Sequence, residues 1–222
     1  MRRLLTFAAL VISGILSACP GAMAYSITVN NPSFEILPPG GLPFGNCGAG
    51  CNYSFDVIPG WTVTGATGQF HPGVVDGNTA YFNSVPDGIT VAFSNGGSIS
   101  QTVGPTSVAG QTYTLEVYLG FRKDLPDPGS SYLVIGGIPT LALGTPLQGT
   151  GDWSLYTASY SAPASGLPIE VLLQTPGGQG DWDKVSLSAT PLPPALLLFG
   201  TALAGLGLLG RRRRRISAPP IK

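Results

Sequence analysis

The sequence predicts an all-β protein: a two-sheet antiparallel β-sandwich between an N-terminal signal peptide and a C-terminal transmembrane helix. Three observations carry this expectation. Across residues 25–190 the apolar residues come in short pulses, separated by Gly- and Pro-rich turn signals. No stretch there sustains the period of about 3.6 residues that an amphipathic helix requires. The chain also holds 32 Gly and 21 Pro in 222 residues, a turn-rich composition that suits sheets better than helices. Residues 25–190 are long enough to bury one proper core.

Taken in order, the chain starts with Met1, Arg2 and Arg3, a positive segment followed by an apolar run over residues 4–16. Ala22-Met23-Ala24 then supplies small residues where a signal peptidase cuts, so residues 1–24 read as a secretory signal peptide. An alternative lies inside it: Leu16-Ser17-Ala18-Cys19 has the pattern of a lipobox, which makes Cys19 a lipidated N-terminus. Both readings export the protein. Behind the leader, Cys47 and Cys51 are the remaining cysteines, in Cys47-Gly48-Ala49-Gly50-Cys51. In an exported chain this spacing is expected to close a small disulfide loop. A zinc site needs two more ligands, and the single histidine is His71. The segment 36–52 shows no periodicity and reads as a surface excursion.

Strand pulses follow at 61–64, 79–83, 89–94, 98–103 and 112–121, then at 132–135, 155–162, 169–175 and 183–188. Pro59-Gly60, Asp87-Gly88, Asn95-Gly96-Gly97 and Pro176-Gly177-Gly178 mark turns between them. Such regular alternation of short strands and turns predicts a sandwich with jelly-roll connections.

Four pieces carry a resemblance. Asn30-Asn31-Pro32-Ser33-Phe34-Glu35 opens the domain, and Ile58-Pro59-Gly60-Trp61 follows. The third piece runs from Ile99-Ser100-Gln101-Thr102-Val103 to Gly110-Gln111-Thr112-Tyr113-Thr114-Leu115, and Trp182-Asp183-Lys184-Val185-Ser186-Leu187 closes the domain. In this order they resemble the galactose-binding-like β-sandwiches, the fold of many carbohydrate-binding modules. The resemblance implies that Glu35 and Asp183 hold a structural Ca²⁺ where the first and last strands meet. The residues alone leave a second account open, in which backbone N–H groups satisfy both carboxylates.

The C-terminus reads as an anchor. After Pro191, Leu192 and Pro193, residues 192–210 carry no charge, and a helix of that length spans roughly 28 Å, about the hydrocarbon thickness of a bilayer. Arg211, Arg212, Arg213, Arg214 and Arg215 follow and are expected to stay on the cytoplasmic side, with residues 216–222 as a cytoplasmic tail. A Pro-containing motif, a short Gly/Leu/Ala span and a terminal Arg cluster resemble the PEP-CTERM sorting signal of Gram-negative bacteria. Here the usual Pro-Glu-Pro is Pro191-Leu192-Pro193, and the resemblance covers about the last thirty residues. It implies an exosortase-like sorting enzyme as partner and a route to the cell surface or beyond.

Charge is partitioned sharply. The 11 bases and 11 carboxylates cancel over the whole chain, yet all the carboxylates fall within residues 25–190, with only Arg122, Lys123 and Lys184 beside them. An acidic domain of this kind is no nucleic-acid binder, because that affinity comes from Lys and Arg on phosphates. It suits divalent cations better. Catalytic signatures are sparse: His71 sits in a turn sequence, and no nucleophile elbow, metalloprotease motif or phosphate loop is present. Trp61 and Trp153 begin strand pulses and are expected in the core. Trp182 and Arg122 are the candidate ligand-binding residues, with a surface ion pair to Asp124 as the plainer account of Arg122. Asp183, by alternation, is expected on the face of Val185 and Leu187. The sequence therefore predicts an exported, membrane-anchored surface or matrix protein that is not an enzyme and binds extracellular polysaccharide. The alternatives are a purely structural surface protein and a polysaccharide-acting hydrolase.

Overall fold

Ten strands build the domain in the computed structural model, which describes residues 23–125 and 129–191. The expectations for the leader, Cys19, the membrane span, the arginine cluster and the tail lie outside these residues. Among the described residues no helix is long and apolar enough to cross a membrane. The strands are β1 (Tyr25–Ile27), β2 (Asn52–Ser54), β3 (Thr62–His71), β4 (Val91–Thr102) and β5 (Thr112–Gly120). They continue with β6 (Ser130–Ile135), β7 (Ile138–Leu141), β8 (Trp153–Ser161), β9 (Ile169–Thr175) and β10 (Gly180–Thr190). Every pairing is antiparallel.

Two sheets arise from one hydrogen-bonded path because β4 belongs to both. Its first half pairs with β10 through Ala92, Phe93 and Ser94, whereas Gly97–Thr102 pairs with β9. Strand β3 follows β4 around the corner on its other edge, with a register shift between Gly65 and Thr67. The first sheet thus runs from β2 through β3, β4, β10 and β5 to β8, with β1 alongside the far end of β10. The second runs from β3 through β4, β9 and β6 to β7. A strand that switches sheets needs a bend, and the bend falls at glycines. Gly65 and Gly97 have φ of 69° and 154°, and a Cβ on Gly97 would meet the Thr64 carbonyl at 2.0 Å. The Asn95-Gly96-Gly97 signal, expected to separate two strands, therefore bends one. Residues 79–83, expected as a strand, form no ladder and are bent loop.

Alternation along the strands fills the space between the sheets. Tyr113, Leu115, Val117 and Leu119 of β5 face Ile99 of β4, Leu133 and Ile135 of β6, and Ile169, Val171 and Leu173 of β9. Each such side chain removed from water contributes about 1.5–3 kcal/mol.

Strand β10 departs from simple alternation. Lys184 adopts a left-handed φ of 50°, and the pairing with β5 shifts register between Asp183 and Ser186. That bulge advances the chain by one residue, so Trp182, Val185, Leu187 and Ala189 all enter the core. Asp183 consequently does not share the face of Val185 and Leu187, contrary to the expectation from strict alternation. Trp182 is corrected too. It is fully buried, its indole N–H donates to Ser131 Oγ at 3.0 Å, and it is no stacking platform for a ligand.

Candidate functional site

A second apolar cluster lies on the outer face of the first sheet. Val91 and Phe93 of β4 and Phe70 of β3 project there, opposite to Ala92 and the core. Residues 43–55 and 72–86 fold over them, bringing Cys51 and Phe82 into the cluster, with Cys47, Tyr53, Val74, Tyr81 and Trp153 at its margin. Trp153, expected in the core, instead stacks on Phe82 with ring centroids 4.6 Å apart. Trp61 is where it was expected, packed in the core at 5.3 Å from Phe34.

The Cys47–Cys51 disulfide is formed and ties down one wall. The Cys47 carbonyl accepts the Tyr81 hydroxyl at 2.9 Å, joining the disulfide loop to the segment after β3. The excursion expected over residues 36–52 is thus part of a roof. Beneath it is a cavity of about 200 Å³ lined by Tyr53, Phe55, Phe70, Tyr81 and Phe93, together with Cys47, Asn95, Arg122 and Gln179. The rings meet edge to face: Phe55 is 5.2 Å and Tyr53 6.5 Å from Phe93, and Phe70 is 5.5 Å from Tyr81.

Arg122 supplies the charge of this cavity. Its guanidinium lies over the Tyr81 ring at 4.3 Å and near Phe70 at 5.7 Å. Nε and Nη2 donate to the two oxygens of Asp124 at 2.9 and 2.7 Å. The ion pair predicted as the plain account is present, but only one partner is at the surface: the Arg122 side chain is 10 % exposed and that of Asp124 46 %. Burial disfavours the Arg122 charge, and Asp124 and Asp181 more than offset it.

Asp181 is a candidate functional group that the sequence reading missed. It pairs in register with Phe93, so the two side chains project from the same face of the sheet. It is completely buried; Oδ1 accepts from Gln179 Nε2 at 2.9 Å, and Oδ2 has no hydrogen-bond partner among the described residues. Burial pushes its carboxyl up to about 7, against the Arg122 charge and the Gln179 bond, while the Asp124 charge adds to the rise. A usable signal was present: Asp181 lies two residues before Asp183, on the same face of a strand that also carries the core tryptophan.

Asp183 belongs to a different environment. Its oxygens accept the backbone N–H groups of Asp87 at 2.9 Å and Lys184 at 2.6 Å. Glu35 Oε1 accepts from Ile89 and Thr90 at 2.9 and 2.7 Å. This close approach requires Gly88, whose φ is 63° and whose added Cβ would lie 2.4 Å from the Glu35 carboxylate. Burial pushes Asp183 up to about 8 despite its two N–H bonds, and the like charges of Asp87 and Glu35 add to the rise. Among the described residues, no three His, Cys, Asp or Glu side chains are grouped to hold a metal ion. A cation between Glu35 and Asp183 would draw its remaining ligands from backbone carbonyls and water.

A roofed aromatic cavity with one cation in its wall, and a buried acid on the same sheet face, is a candidate small-molecule site on an all-β scaffold. The chain belongs to the HpiC1-like family: the family profile, described as HpiC1 cyclase, matches residues 25–188. This membership corrects the expectation that the protein is not an enzyme. No curated protein matches the sequence. Among solved structures, the chain is similar to the CBM22-1 xylan-binding domain of Paenibacillus barcinonensis Xyn10C. The identity is 11 %, the TM-score 0.41, and the coverage 79 % of this chain and 97 % of that one. It is similar also to TmCBM61, solved with β-1,4-galactotriose, at 16 % identity, TM-score 0.42 and coverage of 72 % and 97 %.

Proposed function

We propose that the protein is an exported enzyme that closes a ring in a small, mainly apolar substrate, with Asp181 as the proton donor. The observation that carries this reading is a buried carboxyl, pushed up to about 7 by burial, on the same sheet face as the cavity's aromatic wall. Family membership supports it. A carboxylic acid kept neutral by burial is a general acid at physiological pH. Its proton passes to an alkene or imine of the substrate, leaving a cation and the Asp181 carboxylate. The faces of Tyr53, Phe70 and Phe93 provide electron-rich surface for that cation, and the rings exclude water. An internal nucleophile, a second alkene or an arene, then forms the new ring bond. The proton lost in the final step returns to Asp181. Substrate and product have the same formula, so neither oxidant nor reductant is required.

The test is incubation of the full chain with a panel of alkenes that carry an internal arene or alkene nucleophile. Liquid chromatography with mass spectrometry should find a product of unchanged mass, carrying deuterium when the reaction runs in heavy water. Asp181→Asn should abolish the product without abolishing binding. Turnover by that variant would sink the reading.

The setting we propose is a periplasmic or surface one, reached through the leader over residues 1–24 and held by the membrane segment over 192–210. An exosortase-like enzyme reading Pro191, Leu192 and Pro193 would then process the anchor. A chain truncated after Thr190 should leave the membrane fraction. Glycan binding is a second activity of the same domain, favoured by a groove of about 470 Å³ on the outward face of the second sheet. Thr64, Ser98, Gln174 and Ser130 stand in register across four strands there, beside the ring of Tyr132. A glycan array probed with the protein and with Tyr132→Ala tests it. Calcium at Glu35 and Asp183 is retained as a structural ion, favoured by the mutual repulsion of Glu35, Asp87 and Asp183. Melting in millimolar calcium and in EDTA should differ by several degrees, and identical melts would remove the ion from the account.

A further inference from the structure

The aromatic cavity has a polar end whose hydrogen-bonding groups the protein leaves unused. Arg122 gives one edge of its guanidinium, Nε and one N–H of Nη2, to Asp124. The other edge, Nη1 beside the second N–H of Nη2, donates to no group among the described residues, although the side chain is only 10 % exposed and lines the cavity. The Tyr81 ring, 4.3 Å away, lies against the planar guanidinium and keeps that edge in a fixed orientation. Acceptors share the cavity with these donors. Gln179 gives Nε2 to Asp181, and its Oε1 accepts from nothing among the described residues. The side-chain amide of Asn95, exposed at the rim, is likewise unengaged among them. The remaining wall is aromatic. A cavity of about 150 Å³ holds a benzene ring, so one of about 200 Å³ has room for a ring with a short polar substituent.

We propose that the cavity binds a compound in which a flat apolar ring carries a neutral carboxamide-like group, a carbonyl with an N–H beside it. The ring packs among Phe55, Phe70 and Phe93, and the carbonyl oxygen accepts from the unused edge of Arg122. The N–H of the ligand donates to Gln179 or Asn95. This rests on the reading of the cavity as a ring-closing site, and it names the polar group of the substrate. Charge selects the neutral group over a carboxylate. Asp124 already balances the Arg122 charge, and all 11 carboxylates of the chain lie within residues 25–190, so an anion gains little attraction here. A carboxylate also brings no N–H for the Gln179 oxygen, and two facing acceptors repel. A ligand without an acceptor leaves the arginine edge unpaired in a desolvated wall, so that edge is a filter as well as an anchor.

The experiment is an NMR titration of the full chain with three compounds of similar shape: 3-phenylpropanamide, 3-phenylpropanoate and isopentylbenzene. The amide should bind about ten- to a hundredfold more tightly than the other two and shift the Arg122 Nε–H signal. Arg122→Gln, and Arg122→Lys, which keeps the positive charge without the planar fork, should each bring the amide to the level of isopentylbenzene. Hydrocarbon binding should survive both substitutions. If it does not, the wild-type preference and the Arg122 Nε–H shift decide. Equal affinity for amide and hydrocarbon, tighter binding of the carboxylate, an amide preference that outlasts both variants, or no binding of any compound overturns the proposal. If the amide binds as expected while no panel alkene is cyclised, the polar subsite stands and the ring-closing reading is what fails. If alkenes without an amide are cyclised as fast as those with one, the ring-closing reading stands and the subsite fails.

Discussion

Between the sheets, Leu115, Val117, Ile99, Val171 and Leu173 pack into a closed core in which Trp182 finds a single hydroxyl for its N–H. On the outer face of the first sheet, Phe70, Phe93, Tyr53 and Tyr81 share their space with Arg122, a buried acid and a cavity. The two regions meet at β4, whose Ala92 and Ile99 face the core while Val91 and Phe93 face the outer cluster. They differ in what covers them. A second sheet with matching alternation seals the core to crystal-like density. The outer cluster is covered by loops, which pack less completely and leave room for a ligand. Stability belongs to the first region, and the proposed chemistry to the second.

The largest expected effect separates the two. Trp182→Ala should cost about 3–5 kcal/mol, because no neighbour can collapse into the hole it leaves. Phe55→Ala, at a residue half exposed on the cavity wall, should cost about 1 kcal/mol. Urea denaturation measures both, and a Phe55 variant as damaged as the Trp182 variant would erase the distinction. Ligand affinity should show the reverse order for the folded proteins.

A smaller effect concerns pH. The folded pKa values of Asp181 and Asp183 are raised to about 7 and about 8, above the unfolded range near 4. Folded protein therefore keeps protons that the unfolded chain has lost across this window. Their stabilisation is complete below about pH 4 and is lost as pH rises through about 7 and 8. The melting temperature should fall by several degrees between pH 5 and pH 8, and Asp181→Asn should flatten that descent. A wild-type melt that rises over this interval would show the two carboxyls to be ionised.

The smallest effect on global stability belongs to the disulfide. Its loop is only four residues in separation, so reducing it should cost less than the roughly 3 kcal/mol of a fifteen-residue loop. The damage should be local. With Cys47 released, Tyr81 loses the anchored carbonyl that orients it, and Arg122 loses a fixed ring to lie on. Cys47→Ser with Cys51→Ser should lower the melting point by a few degrees and weaken ligand binding more than tenfold. Equal losses in both measurements would place the disulfide in the core's account rather than the cavity's.

The strands that run straight through the core were legible, because a period of two in the sequence needs no partner to be read. The pulses at 112–121, 155–162 and 169–175 became β5, β8 and β9 with small shifts at their ends. The Cys47–Cys51 bridge was equally local. Asn95-Gly96-Gly97 misled because glycines permit a reversal and a bend alike, and only β3 and β9 on either side make it a bend. Trp182 and Asp183 were assigned to the wrong faces for a similar reason: nothing local announces a bulge at a lysine.

The sequence by itself determined an all-β fold, the closing of the disulfide and the concentration of acid within residues 25–190, since composition, spacing and alternation are properties of neighbouring residues. Only the tertiary structure decided that Tyr53, Phe70, Tyr81, Phe93, Arg122 and Asp181 meet. They come from six stretches of chain brought together by the corner in β4 and the folding-over of two loops. Burial of Asp181, and with it the acid's proton, exists only once those pieces have closed over the sheet, because desolvation is a property of the enclosure and not of the residue.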